Sequence, residues 1–330
     1  MFSRTQWNDI IRPELKSNLL CIFLGVIIWF GVFGLCKTAS SDAVAGLPRW
    51  LSNFFVADMT VGRIADFVLF TLLAMALMRL NELYSFIPQR TVLSFFFSVI
   101  VGGVVMCNYA NSPGILEALL IVLALYNAFV LQDTRSQLQT FNIGFLIGVL
   151  SILNPWGLLA FVPFVYFYYD SNVLSTRSFL GTLTGVFIPV FYYGIYIAAT
   201  DDIENLPEHF VLYLQVYSLP DDLSRMQIAY MVISLLVLGW AHLHYFLTFH
   251  LNVLKQRRMS TLILLLELYV VLIALFTPDG IYSMMTSFFL LSALLIGRFF
   301  SLTVPNGKAF YVAFWVFVGA TLIYFLSLQI

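Results

Sequence analysis

The chain alternates long apolar runs with short polar breaks. A helix that crosses the hydrocarbon layer of a membrane needs about 20 mostly apolar residues. Windows of that kind fall at 18–36, 64–80, 92–110, 115–131, 141–168, 178–199, 227–250, 260–277, 281–297 and 309–328. Runs such as Leu262-Ile263-Leu264-Leu265-Leu266 are apolar all round, the pattern of a helix surrounded by lipid or protein. The ten-residue alternation of a membrane β-barrel is absent, and an open sheet would leave bare backbone groups in lipid. The pattern predicts an all-α, polytopic transmembrane bundle forming one integral membrane domain over 1–330.

Segment 141–168 is the ambiguous one. Its 28 residues exceed an ordinary crossing, and Asn154-Pro155-Trp156-Gly157 interrupts them. The segment is either one kinked rod or a hairpin of two short arms. Loop charge discriminates, because Lys and Arg gather on the cytoplasmic side. With the N-terminus inside and a hairpin, 12 of the 16 basic residues lie inside, leaving Lys37, Arg49, Arg63 and Arg225 outside. With a single crossing everything downstream flips, and the split falls to 7 inside against 9 outside. The hairpin reading gives about 11 membrane segments, N-terminus cytoplasmic and C-terminus outside. Arms of about 13 residues would reach roughly 20 Å into a core about 30 Å thick.

Two outside loops, 37–63 and 200–226, are long enough to hold structure. In the first, Leu47, Trp50, Leu51, Phe54 and Phe55 recur at the spacing of one helix face, and Pro48 suits a first turn. An amphipathic helix over 47–59, lying in the outer interface, is expected. The second loop repeats the device with Pro207, Phe210, Tyr213, Leu214 and Tyr217. Ala43-Val44-Ala45 matches a signal-peptidase pattern, but the apolar stretch before it is long and many spans follow. An uncleaved first helix is expected.

Composition narrows the class further. Apolar residues make up 61% of the chain and charged residues 10%, against roughly 25% charged in soluble domains. Mean hydropathy is +0.93. A net charge of −1 gives no reason to expect a nucleic-acid partner. Three cysteines, Cys21, Cys36 and Cys107, exclude a disulfide scaffold.

Candidate chemistry is sparse. The non-helical turn at Asn154 and Trp156 would sit inside the apolar layer, where backbone survives only against protein or a wet cavity. Asp66 and Glu117 begin their spans on the same side, so these four residues are the expected lining of an outer cavity. The alternative is a turn packed solidly in protein. Glu267 lies within a span and should face another helix, with His242, His244 or Arg298 as its partner. Arg79 and Glu82, three apart, suit a local ion pair. His242 and His244 are two apart and His242 and His250 eight apart, which is unlike the i, i+4 spacing of a helical metal pair. No metal site and no cofactor are expected, and no phosphate-binding loop or nucleophile elbow is present.

Two stretches carry a resemblance. One is Arg79-Leu80-Asn81-Glu82 through Pro88-Gln89-Arg90-Thr91. The other runs from Phe141-Asn142-Ile143-Gly144 through Asn154-Pro155-Trp156-Gly157 to Ile188-Pro189-Val190-Phe191. They resemble an uncharacterised family of bacterial polytopic inner-membrane proteins, a domain of unknown function. The layout also resembles the GT-C membrane glycosyltransferases, which place interfacial helices and a catalytic acid in the first outside loop. That class transfers sugar from a polyprenyl-phosphate carrier at the outer face. The resemblance implies Asp42 or Asp58 as general base toward an acceptor hydroxyl, and Arg49, Arg63 or Arg225 as holder of the carrier phosphate. Asp42 stands alone in Ser-Ser-Asp-Ala, whereas the class often has two adjacent acids there. A non-enzymatic membrane scaffold or envelope-assembly component, bound to a membrane-protein partner, is the alternative. A transporter or lipid flippase comes third, because such proteins show paired broken helices in repeated halves and only one break is visible.

Overall fold

The computed structural model describes Phe23 and residues 59–87, 93–108, 112–199, 225–249, 252–276, 280–303 and 308–327. Among the described residues there are ten α-helices, one 3-10 turn and no strand. In chain order the helices are α1 (Met59–Tyr84), α2 (Leu93–Asn108), α3 (Ser112–Thr134), α4 (Gln137–Leu153) and, after the 3-10 turn Pro155–Ala160, α5 (Phe161–Asp170). Then follow α6 (Thr176–Ala199), α7 (Arg225–Thr248), α8 (Leu254–Phe276), α9 (Gly280–Thr303) and α10 (Lys308–Ser327). The expected first span at 18–36, the interfacial helix at 47–59 (except Met59, which opens α1), the Ala43-Val44-Ala45 stretch and the helix near 207–217 lie outside the described residues.

The tight connections have local causes. Ser85, Arg135 and Asn172 adopt left-handed φ values of 50°, 52° and 54°, each ending a helix. Asn81 Oδ1 accepts the Ile87 backbone N–H at 2.8 Å, which fixes the exit from α1. Ser136 caps α4 by accepting from the Leu138 N–H at 3.3 Å.

Helix order follows from which residues meet. Gly181 faces Thr140, Gly185 faces Phe141 and Gly144, and Gly148 faces Val186 and Pro189. Numbers rise together along both helices, so α4 and α6 are parallel neighbours. The chain between them must therefore return. The 3-10 turn and α5 make that return, and Tyr168 near the end of α5 lies 3.2 Å, hydroxyl to hydroxyl, from Thr182 near the start of α6. Segment 141–168 is thus folded back on itself rather than running through as one rod. The first arm is longer than the pattern suggested. It has 17 residues, because α4 already starts at Gln137, and at 1.5 Å per residue it reaches about 25 Å. Continuing the α4–α6 register puts Asn154 level with about residue 195 of α6, roughly 6 Å short of that helix's described end.

One end of the bundle is basic. Lys255 Nζ lies 2.5 Å from Asp133, Gln256 donates to Ser85 O at 2.8 Å, and Arg258 Nε lies 3.8 Å from Asp170. Arg298 donates to Phe86 O at 2.6 Å and also to Asn252 Oδ1. These contacts bring together the ends of α1, α3, α5 and α9 and the start of α8, with Arg79, Arg135, Arg177 and Arg257 at the same level. Away from this end the interior is mostly apolar, with a few buried polar side chains such as Glu117, Asn154 and Glu267. Phe97 stacks on Phe300 with centroids 5.4 Å apart, and Phe314 meets both rings edge-on.

The outside of the bundle is apolar too. Phe187 and Tyr192 on α6 and Leu236 and Phe246 on α7 are all exposed. Contiguous apolar surface of this kind marks contact with lipid or another protein rather than water. Phe67–Tyr84, Gly114–Thr134 and Thr176–Ala199 are long and apolar enough to cross a membrane.

Candidate functional site

The break after Leu153 is written in four residues. A residue before proline is pushed out of the helical region, and Asn154 sits at φ −142°, ψ 114°. Its backbone N–H still reaches Leu150 O at 2.9 Å, while its side-chain oxygen accepts the Trp156 N–H at 3.1 Å. One residue therefore ends α4 and caps the turn that follows. Pro155 loses no hydrogen bond at the first position of that turn. Gly157 then lies directly on Leu150, where any Cβ would come within 2.7 Å of Leu150 Cγ.

A neighbouring helix closes on this turn. Tyr269 of α8 donates its hydroxyl to Trp156 O at 3.3 Å. Glu117 of α3 lies within electrostatic reach of the same phenol. Asn154, Glu117 and Tyr269 are all buried, at 1%, 2% and 6% exposure. The assembly brings a phenol and a turn carbonyl together, with the Glu117 carboxyl within electrostatic reach of the phenol. It also satisfies a backbone carbonyl that would be costly to leave bare in an apolar layer.

The expected residues divide as follows. Asn154 and Trp156 meet Tyr269 at the turn, and Glu117 lies within electrostatic reach of the Tyr269 phenol. Asp42, Arg49 and Asp58 lie outside the described residues. Arg63 and Asp66 fall in the first turns of α1 and Arg225 opens α7, all at the end opposite the basic one. Their side chains are outside the described set. Tyr269 was not singled out from the sequence. A tyrosine within Leu-Glu-Leu-Tyr-Val-Val gives no signal that distinguishes it from an ordinary interior aromatic.

Glu267 finds its partner among the three expected candidates. Its Oε2 lies 2.8 Å from His242 Nε2, and its Oε1 accepts from Ser292 Oγ at 3.0 Å. His244 instead packs edge-on against Phe299 at 5.4 Å, and Arg298 turns to Phe86 and Asn252. Arg79 and Glu82 form an exposed ion pair at 3.1 Å. Among the described residues no three His, Cys, Asp or Glu side chains come together as metal ligands.

No family model, no curated protein and no solved structure matches this chain.

Proposed function

We propose that the chain is an eleven-segment integral membrane protein of GT-C-like layout that handles a polyprenyl-phosphate-linked sugar at the outer face of a bacterial inner membrane. The observation that supports this reading is the folded-back segment 141–168. It carries a polar turn into the apolar layer at the end opposite the basic one, against Tyr269 and with Glu117 within electrostatic reach of that phenol. The basic end is then cytoplasmic by the positive-inside rule, which puts the turn beneath loops 37–63 and 200–226.

In this reading Asp42 or Asp58 takes the proton of an acceptor hydroxyl as that oxygen attacks the sugar's anomeric carbon. The bond from that carbon to the carrier phosphate breaks, and Arg49, Arg63 or Arg225 stabilises the departing phosphate. Asp66, Glu117, Asn154 and Trp156 line the space beneath. Asp42→Asn and Asp58→Asn, each introduced into a deletion strain, test it. At least one is expected to abolish envelope glycan transfer while the protein still accumulates in the membrane. Wild-type transfer in both variants ends the enzymatic reading.

One observation favours a second reading. Helices α6 and α7 present broad apolar flanks to the outside of the bundle, as a scaffold for another membrane protein would. A membrane-protein partner recovered by crosslinking from α6, together with wild-type behaviour of both Asp variants, would select it.

A further inference from the structure

We propose that His242 and Glu267 form a proton-binding site inside the apolar layer, holding one exchangeable proton between α7 and α8. The site is independent of the glycan reading and lies on different residues.

The geometry determines how many protons the couple holds. Glu267 is 3% exposed, and both its oxygens are engaged, Oε2 with His242 Nε2 at 2.8 Å and Oε1 with the Ser292 hydroxyl at 3.0 Å. The other imidazole nitrogen, Nδ1, lies 2.9 Å from Leu238 O, one turn back on α7. A carbonyl only accepts, so Nδ1 carries a hydrogen. One proton is left for Nε2 and the carboxyl group to share. It sits either on the carboxyl, which donates to Nε2, or on Nε2, which donates to the carboxylate. Both forms have zero net charge, the arrangement a low-dielectric interior tolerates. Uptake of one proton gives imidazolium beside a neutral acid, net +1. Loss of one gives neutral imidazole beside a carboxylate, net −1.

Access is asymmetric. The His242 side chain is 25% exposed and that of Glu267 is 4% exposed. The imidazole is therefore the outer partner of the pair, and the carboxyl is the inner one. His242 lies six residues from the basic end of α7, about 9 Å along the axis.

The charged and titratable neighbours are otherwise engaged. On α7, His244 packs on Phe299 within electrostatic reach of Arg298, and Tyr245 lies under the Arg298 guanidinium. On α9, Arg298 holds Phe86 O and Asn252. On α8, Tyr269 turns the other way, to Trp156 O. On α10, Tyr324 stacks on Tyr230 of α7 toward the opposite end. Ser292 is the group that senses the carboxyl directly, so the proton links three helices.

The test is infrared spectroscopy of the full-length protein in liposomes during a titration from acidic to mildly alkaline pH, in H2O and D2O. A reversible carboxylic-acid carbonyl band that shifts in D2O and disappears in Glu267→Gln is expected. Glutamine keeps the hydrogen bonds to His242 and Ser292 but cannot titrate, so a purely structural contact would leave the variant's pH-induced difference spectra identical to those of wild type. Absence of any band sensitive to that substitution overturns the proposal. Should Glu267→Gln fail to fold, His242→Gln is used instead. Its band is expected to titrate at a proton concentration shifted about tenfold or more, equivalent to one pK unit. An unshifted midpoint overturns the proposal equally.

Discussion

Gly144, Gly148 and Gly185 hold α4 and α6 together by what they lack. A Cβ on Gly148 would stand 2.5 Å from Pro189 Cγ and 2.7 Å from Val186 O, and one on Gly144 would run into the Thr182 carbonyl. Backbone cannot move aside as a side-chain tip can, so α6 would have to shift. Small residues at such crossings let helices approach closely enough for van der Waals attraction to accumulate, which matters most where water gives no hydrophobic drive. Gly148→Leu should therefore destabilise the bundle by about 1–3 kcal/mol, the usual cost of overpacking. Gly194 lies on α6 with nothing within 4 Å of its Cβ position, and Gly194→Leu should fall close to neutral. Denaturant titration in mild detergent separates the two. Equal losses would mean that the close contact is not what these glycines provide.

At the scale of elements, the fold-back between α4 and α6 decides the orientation of everything after it. If the chain returns at Asn154, residues 135 and 172 lie on the same side of the membrane, and both are exposed. Cysteines placed there in a cysteine-free background should react with an impermeant reagent from one side only, together with one at 256, while a cysteine at 214 reacts from the other. Labelling of 135 and 172 from opposite sides would be incompatible with the parallel α4–α6 pair. The turn was legible in the sequence because Asn-Pro-Trp-Gly puts a cap, a ring without an N–H and a residue without a Cβ in succession. The true length of the arm was not legible. Gln137, Gln139 and Asn142 make the first turns of α4 polar, so hydropathy starts the segment too late, while the Ser136 cap fixes the start by a local hydrogen bond. Asn142 is in fact paired with Asn127 of α3 at 3.3 Å, a tertiary contact that no window average contains. The partner of Glu267 was narrowed to three in the same way and settled only by the register of α7 against α8. His242 and His244 differ by two residues, which on a helix is about 200°, just over half a turn, and composition cannot tell them apart.

At the scale of the whole molecule, the apolar outside must be covered by lipid or by protein. Trp240 on α7 and Trp315 on α10 are 57% and 48% exposed, whereas Trp156 is held in the turn and half-buried. An indole facing acyl chains is quenched by bromine atoms carried on those chains, and one covered by protein is shielded. In variants that keep one tryptophan each, reconstituted in vesicles with brominated lipid, Trp240 and Trp315 should quench strongly and Trp156 weakly. The same measurement in native membranes enriched with brominated lipid separates the two functional readings. A protein that works alone on a lipid-borne substrate leaves α7 bathed in lipid, so Trp240 quenches as in vesicles. A scaffold uses that flank: its partner displaces acyl chains from α7, and Trp240 becomes shielded in the native membrane while Trp315, on a different helix, stays quenched. Shielding of both together would instead point to a larger assembly that encloses α7 and α10, with contact on more than one side of the bundle.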